Sequence, residues 1–110
     1  MEQTSYHIQS CVKAWLTCEN LLNKLNNNNL SFAKSTLSIL DECAYICMGT
    51  FHAIKLQFKN LSDMALLCVG ICEECAETCE KYEDEMFTEC AIACRKCSKA
   101  ISYLTNTSVE

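Results

Sequence analysis

The stretch Cys68-Val-Gly-Ile-Cys72-Glu-Glu-Cys75-Ala-Glu-Thr-Cys79 decides how this 110-residue chain is read. Its cysteines step by 4, 3 and 4 residues, and an α-helix turns once every ~3.6 residues, so all four thiols return to one face. The same frame recurs in Cys43 and Cys47 and in Cys90, Cys94 and Cys97, while Cys11 and Cys18 lie seven residues apart on one face. A helix in a globular protein points its apolar stripe at the core. The eleven cysteines therefore predict a column of sulfur inside the fold.

Working outward, the chain divides into four periodic segments with approximate bounds 4–26, 31–58, 61–82 and 84–104. The first steps through Ile8, Cys11, Trp15, Cys18, Leu22 and Leu25 before the polar run Asn26 to Asn29, and Ser31 is placed to cap the second. The second carries Leu40, Cys43, Cys47, Phe51, Ile54 and Phe58. The third carries Leu61, Ala65, Cys68, Cys72, Cys75, Cys79 and Tyr82, and the fourth Phe87, Cys90, Cys94, Cys97, Ile101 and Leu104. Proline is absent and glycine occurs only at Gly49 and Gly70, which favours long helices. Similar lengths and short connections predict an all-α, antiparallel up-and-down four-helix bundle with a cysteine-lined core, as a single domain over residues 1–110.

Helix rise places the thiols along that bundle. At ~1.5 Å per residue, Cys11, Cys68 and Cys97 fall at about 10 Å from the end where the first helix begins. Cys47, Cys72 and Cys94 follow at about 16 Å, then Cys18, Cys43, Cys75 and Cys90 at about 21 Å, with Cys79 deepest. Leu25, Phe58, Phe87 and Leu104 are expected to pack as ordinary apolar ends.

Composition excludes several classes of function. The net charge is -5, and the acids between Glu73 and Glu89 followed by Arg95, Lys96 and Lys99 leave no basic stripe for phosphates, so no nucleic-acid partner is expected. No secretory signal opens the chain, and the longest apolar run, Met64 to Cys72, is about half a membrane span, so a cytoplasmic protein with no membrane partner is expected. Three glycosylation-like triplets, at Asn29, Asn60 and Asn106, read as chance matches in that setting. An odd cysteine count, and neighbouring side chains held nearly parallel on one helix face, argue against a disulfide scaffold. There is no acid–base pair, serine triad or phosphate-binding loop, so no enzymatic activity is expected.

One or two buried cysteines serve as small hydrophobes; eleven in register imply that the sulfur is used. Thiolate-only surroundings select Cu(I), zinc or iron–sulfur clusters. Clusters draw on loop motifs that wrap around them, and zinc on four thiolates carries a net charge of about -2, costly in an apolar core. Cu(I) is satisfied by two or three thiolates, and sulfur bridging brings the column near neutrality. Ligand counting gives about five ions without sharing and about ten with it. The alternatives are a zinc-binding structural module and a thiol redox protein. The second is prompted by Cys72-x-x-Cys75 and Cys94-x-x-Cys97, which lie in mid-helix beside acids and lack the helix N-terminus and positive surroundings that activate such thiols.

The run Cys43-Ala-x-x-Cys47, then Cys68-x3-Cys72-x2-Cys75-Ala-x-x-Cys79, then Glu89-Cys90-Ala-x-x-Cys94-Arg-x-Cys97 resembles the bacterial four-helix-bundle copper storage proteins, over most of residues 41–101. The resemblance implies storage or buffering of multiple Cu(I) ions by Cys11, Cys18, Cys43, Cys47, Cys68, Cys72, Cys75, Cys79, Cys90, Cys94 and Cys97, in a homo-oligomer, tetramer or dimer. The chain departs from that family in helix 1, where His7, Cys11, Ala14 and Cys18 occupy a frame usually richer in cysteine, and at Ile101, where a last cysteine often stands. Lower capacity follows. Antiparallel topology gathers His7, Met48, His52 and Met64 at one end, where thioether and imidazole donors suit transient capture and form a candidate metal port.

Overall fold

The computed structural model describes residues 2–27 and 33–105. They form four helices, α1 (Glu2–Asn27), α2 (Lys34–Leu56), α3 (Leu61–Cys79) and α4 (Glu85–Ser102). Each helix packs on its neighbours in sequence, and α1 closes the square against α4, so that the diagonal helices meet only through side chains in the core. This is the up-and-down bundle that the periodicity predicts. Among the described residues, no helix is long and apolar enough to cross a membrane.

Local chemistry sets the helix ends. Asp84, in extended conformation at the N-cap of α4, accepts a hydrogen bond from the Met86 N–H at 2.8 Å, and Glu85 adds an acid to the first turn. At the end of α2, Gln57 adopts a left-handed conformation (φ 56°). The Phe58 N–H then returns to the Ala53 carbonyl and that of Gln57 to Ile54, satisfying carbonyls that a helix end leaves free. That reversal carries Phe58 out of the seam, and it is 47% exposed instead of packed. The predicted seam ends Leu25 and Phe87 are buried, and Leu104 is half-buried. Ala33 holds the N-cap position of α2. Ser31, read as that cap, lies outside the described residues, as do the triplets at Asn29 and Asn106 and part of the polar run that closes α1.

The buried face of α1 is His7, Cys11, Ala14, Cys18, Leu21 and Leu25. The predicted seam had the right cysteines but the wrong neighbours: Ile8, Trp15 and Leu22 flank the core half-buried. Size and polarity explain the rotation. An indole would displace the sulfur column, whereas Ala14 leaves it room, and Trp15 directs its Nε1–H outward to Glu19 at 3.3 Å while its ring meets Phe51 at 6.1 Å.

At the far end of the bundle from His7, Tyr82 stacks on Phe87 with ring centroids 4.2 Å apart, and its hydroxyl meets the buried Thr36 hydroxyl at 2.8 Å. Leu25 and Leu40 complete an apolar layer in the same core.

Candidate metal centre

All eleven cysteines are free thiols, and each has 0% exposure. Every helix contributes: Cys11 and Cys18 from α1, Cys43 and Cys47 from α2, four from α3 and three from α4. Three groups of sulfurs lie mutually within 4.8 Å, namely Cys18, Cys43, Cys75 and Cys94, then Cys47, Cys68, Cys72 and Cys97, then Cys75, Cys79 and Cys90. Cys11 stands outside the three groups, and its neighbours Cys68 and Cys97 push its thiol pKa up.

The discrete tiers expected from helix rise give way to a continuous chain. Cys94 falls with Cys18 and Cys43, and Cys97 with Cys47 and Cys72, each α4 thiol about one step toward the N-terminus of its helix from the predicted height, while Cys68 joins the group of its helix neighbour Cys72. The groups are also linked, for Cys43 meets Cys72 at 3.9 Å and Cys18 meets Cys90 at 3.5 Å. Side chains of a helix lean toward its N-terminus. Sulfurs on antiparallel helices therefore shift in opposite directions, an offset that counting Cα rise omits.

The spacing suits metal ions. Two ligands each ~2.3 Å from a shared ion lie no more than ~4.6 Å apart. Cross-helix pairs such as Cys47 to Cys72 at 3.5 Å, Cys18 to Cys94 at 3.7 Å and Cys68 to Cys97 at 3.9 Å fall inside that limit. Cys18 is the hub, in contact with Cys75, Cys90 and Cys94. Hydrogen bonds with neighbouring sulfurs hold Cys11, Cys18, Cys47 and Cys72 well above the usual thiol range. Contacts from Cys18 lower Cys43 and Cys94, and contacts from Cys11 lower Cys68 and Cys97.

Charge distinguishes the metals. The buried polar residues among those described are His7, Thr36, Thr50 and Ser98, and burial lowers the pKa of His7, favouring its neutral form. Among the described residues no buried cation is available to offset the charge of about -2 that a zinc tetrathiolate would leave, even though two of the groups contain four sulfurs. A monovalent ion bridged by thiolates, at a ratio near one per sulfur, leaves almost none.

The predicted port residues are placed unequally. His7 is buried one turn before Cys11 on the same face of α1. Met48 and Met64 are half-buried, and the Met64 Cε lies 3.0 Å from where a Cβ on Gly49 would stand, so glycine there admits the thioether. His52 is exposed, with its ring 4.9 Å from that of Phe51. Among the described residues, the groups of close ligand atoms contain cysteine only.

Sequence reading missed the element that registers α3 against α4. Arg95 donates to both carboxylate oxygens of Glu80 at 2.8 and 3.1 Å and also to Glu73, whose other oxygen accepts from Ser98. These partners are 15 to 25 residues apart, so no local signal joins them. The clamp lies beside Cys72, Cys94 and Cys97 in sequence and holds the two richest cysteine helices in register.

Three comparisons bear on this arrangement. A family model described as copper storage protein matches residues 1–106. Over 101 residues the chain is 30% identical to a Bacillus subtilis (strain 168) protein described as uncharacterized cysteine-rich protein YhjQ, covering 90% of this chain and 94% of that one. The bundle is similar to a solved structure, Cu(I)-bound Copper Storage Protein BsCsp3, with a TM-score of 0.86, 23% identity, and 94% of this chain and 98% of that chain covered. At that identity the likeness speaks for the fold.

Proposed function

This chain belongs to the copper storage protein family, and from that premise we propose that it stores or buffers Cu(I) by taking several cuprous ions onto the eleven thiolates of its core. The family is one of storage and not of catalysis. The observation that carries the reading is the linked set of buried sulfur groups, spaced for metal ions shared between helices. The Cu(I)-bound state of the similar solved structure supports the choice of metal.

The bundle is already assembled around its thiols, so loading exchanges protons for ions without building the fold. Anaerobic titration of the reduced protein with Cu(I) against a competing chelator, with zinc in parallel and helicity followed throughout, tests this. Uptake of several Cu(I) ions at constant helicity is expected. A single zinc ion bound with a gain of helix would overturn the reading in favour of a structural zinc module.

His7, Met48, His52 and Met64 form the port in this proposal. The support is topological: the start of α1, the end of α2 and the start of α3 share one end of the bundle, and Tyr82 and Phe87 fill the other. Met48→Leu combined with His52→Ala is expected to slow loading without reducing the final stoichiometry. Loading at the parent rate would remove the port from the proposal. The protein acts in the cytoplasm as a homo-oligomer, tetramer or dimer, a reading supported by its family and by exposed apolar side chains such as Ile92 and Leu67.

A further inference from the structure

We propose that the outer face of α4 is an antiparallel, two-fold pairing surface for a second copy of this chain. Glu85, Glu89, Ile92, Lys96 and Lys99 are all exposed and step along the face opposite Cys90, Cys94 and Cys97. Ile92 is 50% exposed. The charges are symmetric about it. Glu85 and Lys99 stand seven residues to either side, and Glu89 and Lys96 stand three and four. A two-fold axis through Ile92 reverses the second helix, so each Glu89 meets Lys96 of the other copy and each Glu85 meets Lys99. The four ion pairs span ~21 Å of helix, with the two Ile92 side chains together at the centre.

Simpler accounts of this pattern fall short. The helix dipole favours an acid in the first turn and a base in the last, which covers Glu85 and Lys99, but its influence fades before Glu89 and Lys96. Pairing within the chain does not use these groups, because the ion pairs of the described residues join Arg95 to Glu73 and Glu80. Within one helix, Glu85 and Glu89 repel at four residues and Lys96 and Lys99 at three. An antiparallel copy offsets both repulsions with attractions across the interface. Beside Ile92, the shallow groove between α1 and α4 offers the 52%-exposed Tyr6 as further contact area. Another exposed apolar face, Leu66 and Leu67 on α3, lacks this self-complementarity. It is followed by Glu73, Glu74 and Glu77 on a helix that has no basic residue, so two copies would oppose like charges.

The inference deepens the assembly proposed above and rests on it. Its test uses the metal-free full chain and two variants of opposite sign, Glu85→Lys with Glu89→Lys, and Lys96→Glu with Lys99→Glu. Native mass spectrometry and analytical ultracentrifugation are expected to show that each variant alone falls to half the parent's mass. An equimolar mixture then restores the parent's mass as a one-to-one heteromer. Ile92→Ser is expected to weaken the parent's association about tenfold, and raising salt from 0.1 to 1 M also weakens it, as the Debye length shrinks from ~10 to ~3 Å. Variants that keep the parent's mass, or a mixture that does not recombine, overturn the α4 surface while leaving oligomerisation intact. A monomeric parent overturns both. Cu(I) uptake, measured separately, reports on storage regardless of either outcome.

Discussion

Cys18 concentrates the chemistry of this core, since it touches three other sulfurs and is the deeper of the two thiols that α1 supplies. Cys18→Ser is expected to lower the Cu(I) stoichiometry by one or two ions while leaving helicity unchanged, as read by chelator competition and circular dichroism. Cys11→Ser, at the edge of the second group, costs less. Tyr82→Phe removes the partner of the Thr36 hydroxyl, and because Thr36 is only 3% exposed the loss is expected to destabilise the bundle by about 1 kcal/mol in urea denaturation. Each cysteine was legible in the sequence as a core residue because the 3-and-4 step admits no other face. The neighbours were less so. At His7/Ile8, Ala14/Trp15 and Leu21/Leu22 two adjacent helical frames competed, and volume and the hydrogen-bonding need of the indole decided between them.

At the scale of the helix, the ends carry the expectations that are easiest to check. Gln57 holds a left-handed conformation that glycine adopts freely, so Gln57→Gly is expected to raise stability by about 1 kcal/mol. Asp84→Ala removes the N-cap bond of α4 and lowers it by about 1 kcal/mol. The α3–α4 clamp responds to acid. Arg95 beside Glu80 holds that carboxyl below its ordinary value of 4.5. The unfolded chain therefore takes up this proton first, and the contribution, present above about pH 4.5, is lost as pH falls through the lower folded value. Arg95→Ala is expected to be less stable than the parent at neutral pH, with the gap in melting temperature closing as the pH is lowered below 4. Helix existence was readable from periodicity, whereas the left-handed stop at Gln57 and the long-range clamp were not. One replaces the usual glycine with glutamine, and the other joins residues distant in sequence.

For the molecule as a whole, uptake is coupled to protons. Thiols held protonated by their neighbours must release them to bind metal, so Cu(I) affinity is expected to fall as pH is lowered from 8 to 6 and loading to acidify a weakly buffered solution. The architecture and the gathering of all eleven sulfurs were legible because one stripe on each of four helices leaves a single way to bury them together. The grouping of sulfurs across helices was not, since it depends on the lean of side chains from antiparallel backbones. Complete burial has a further consequence for the metal-free protein. A reagent too bulky to pass between helices reaches these thiols only when the bundle opens, so its rate of alkylation measures breathing of the fold, helix by helix, with eleven reporters already in place.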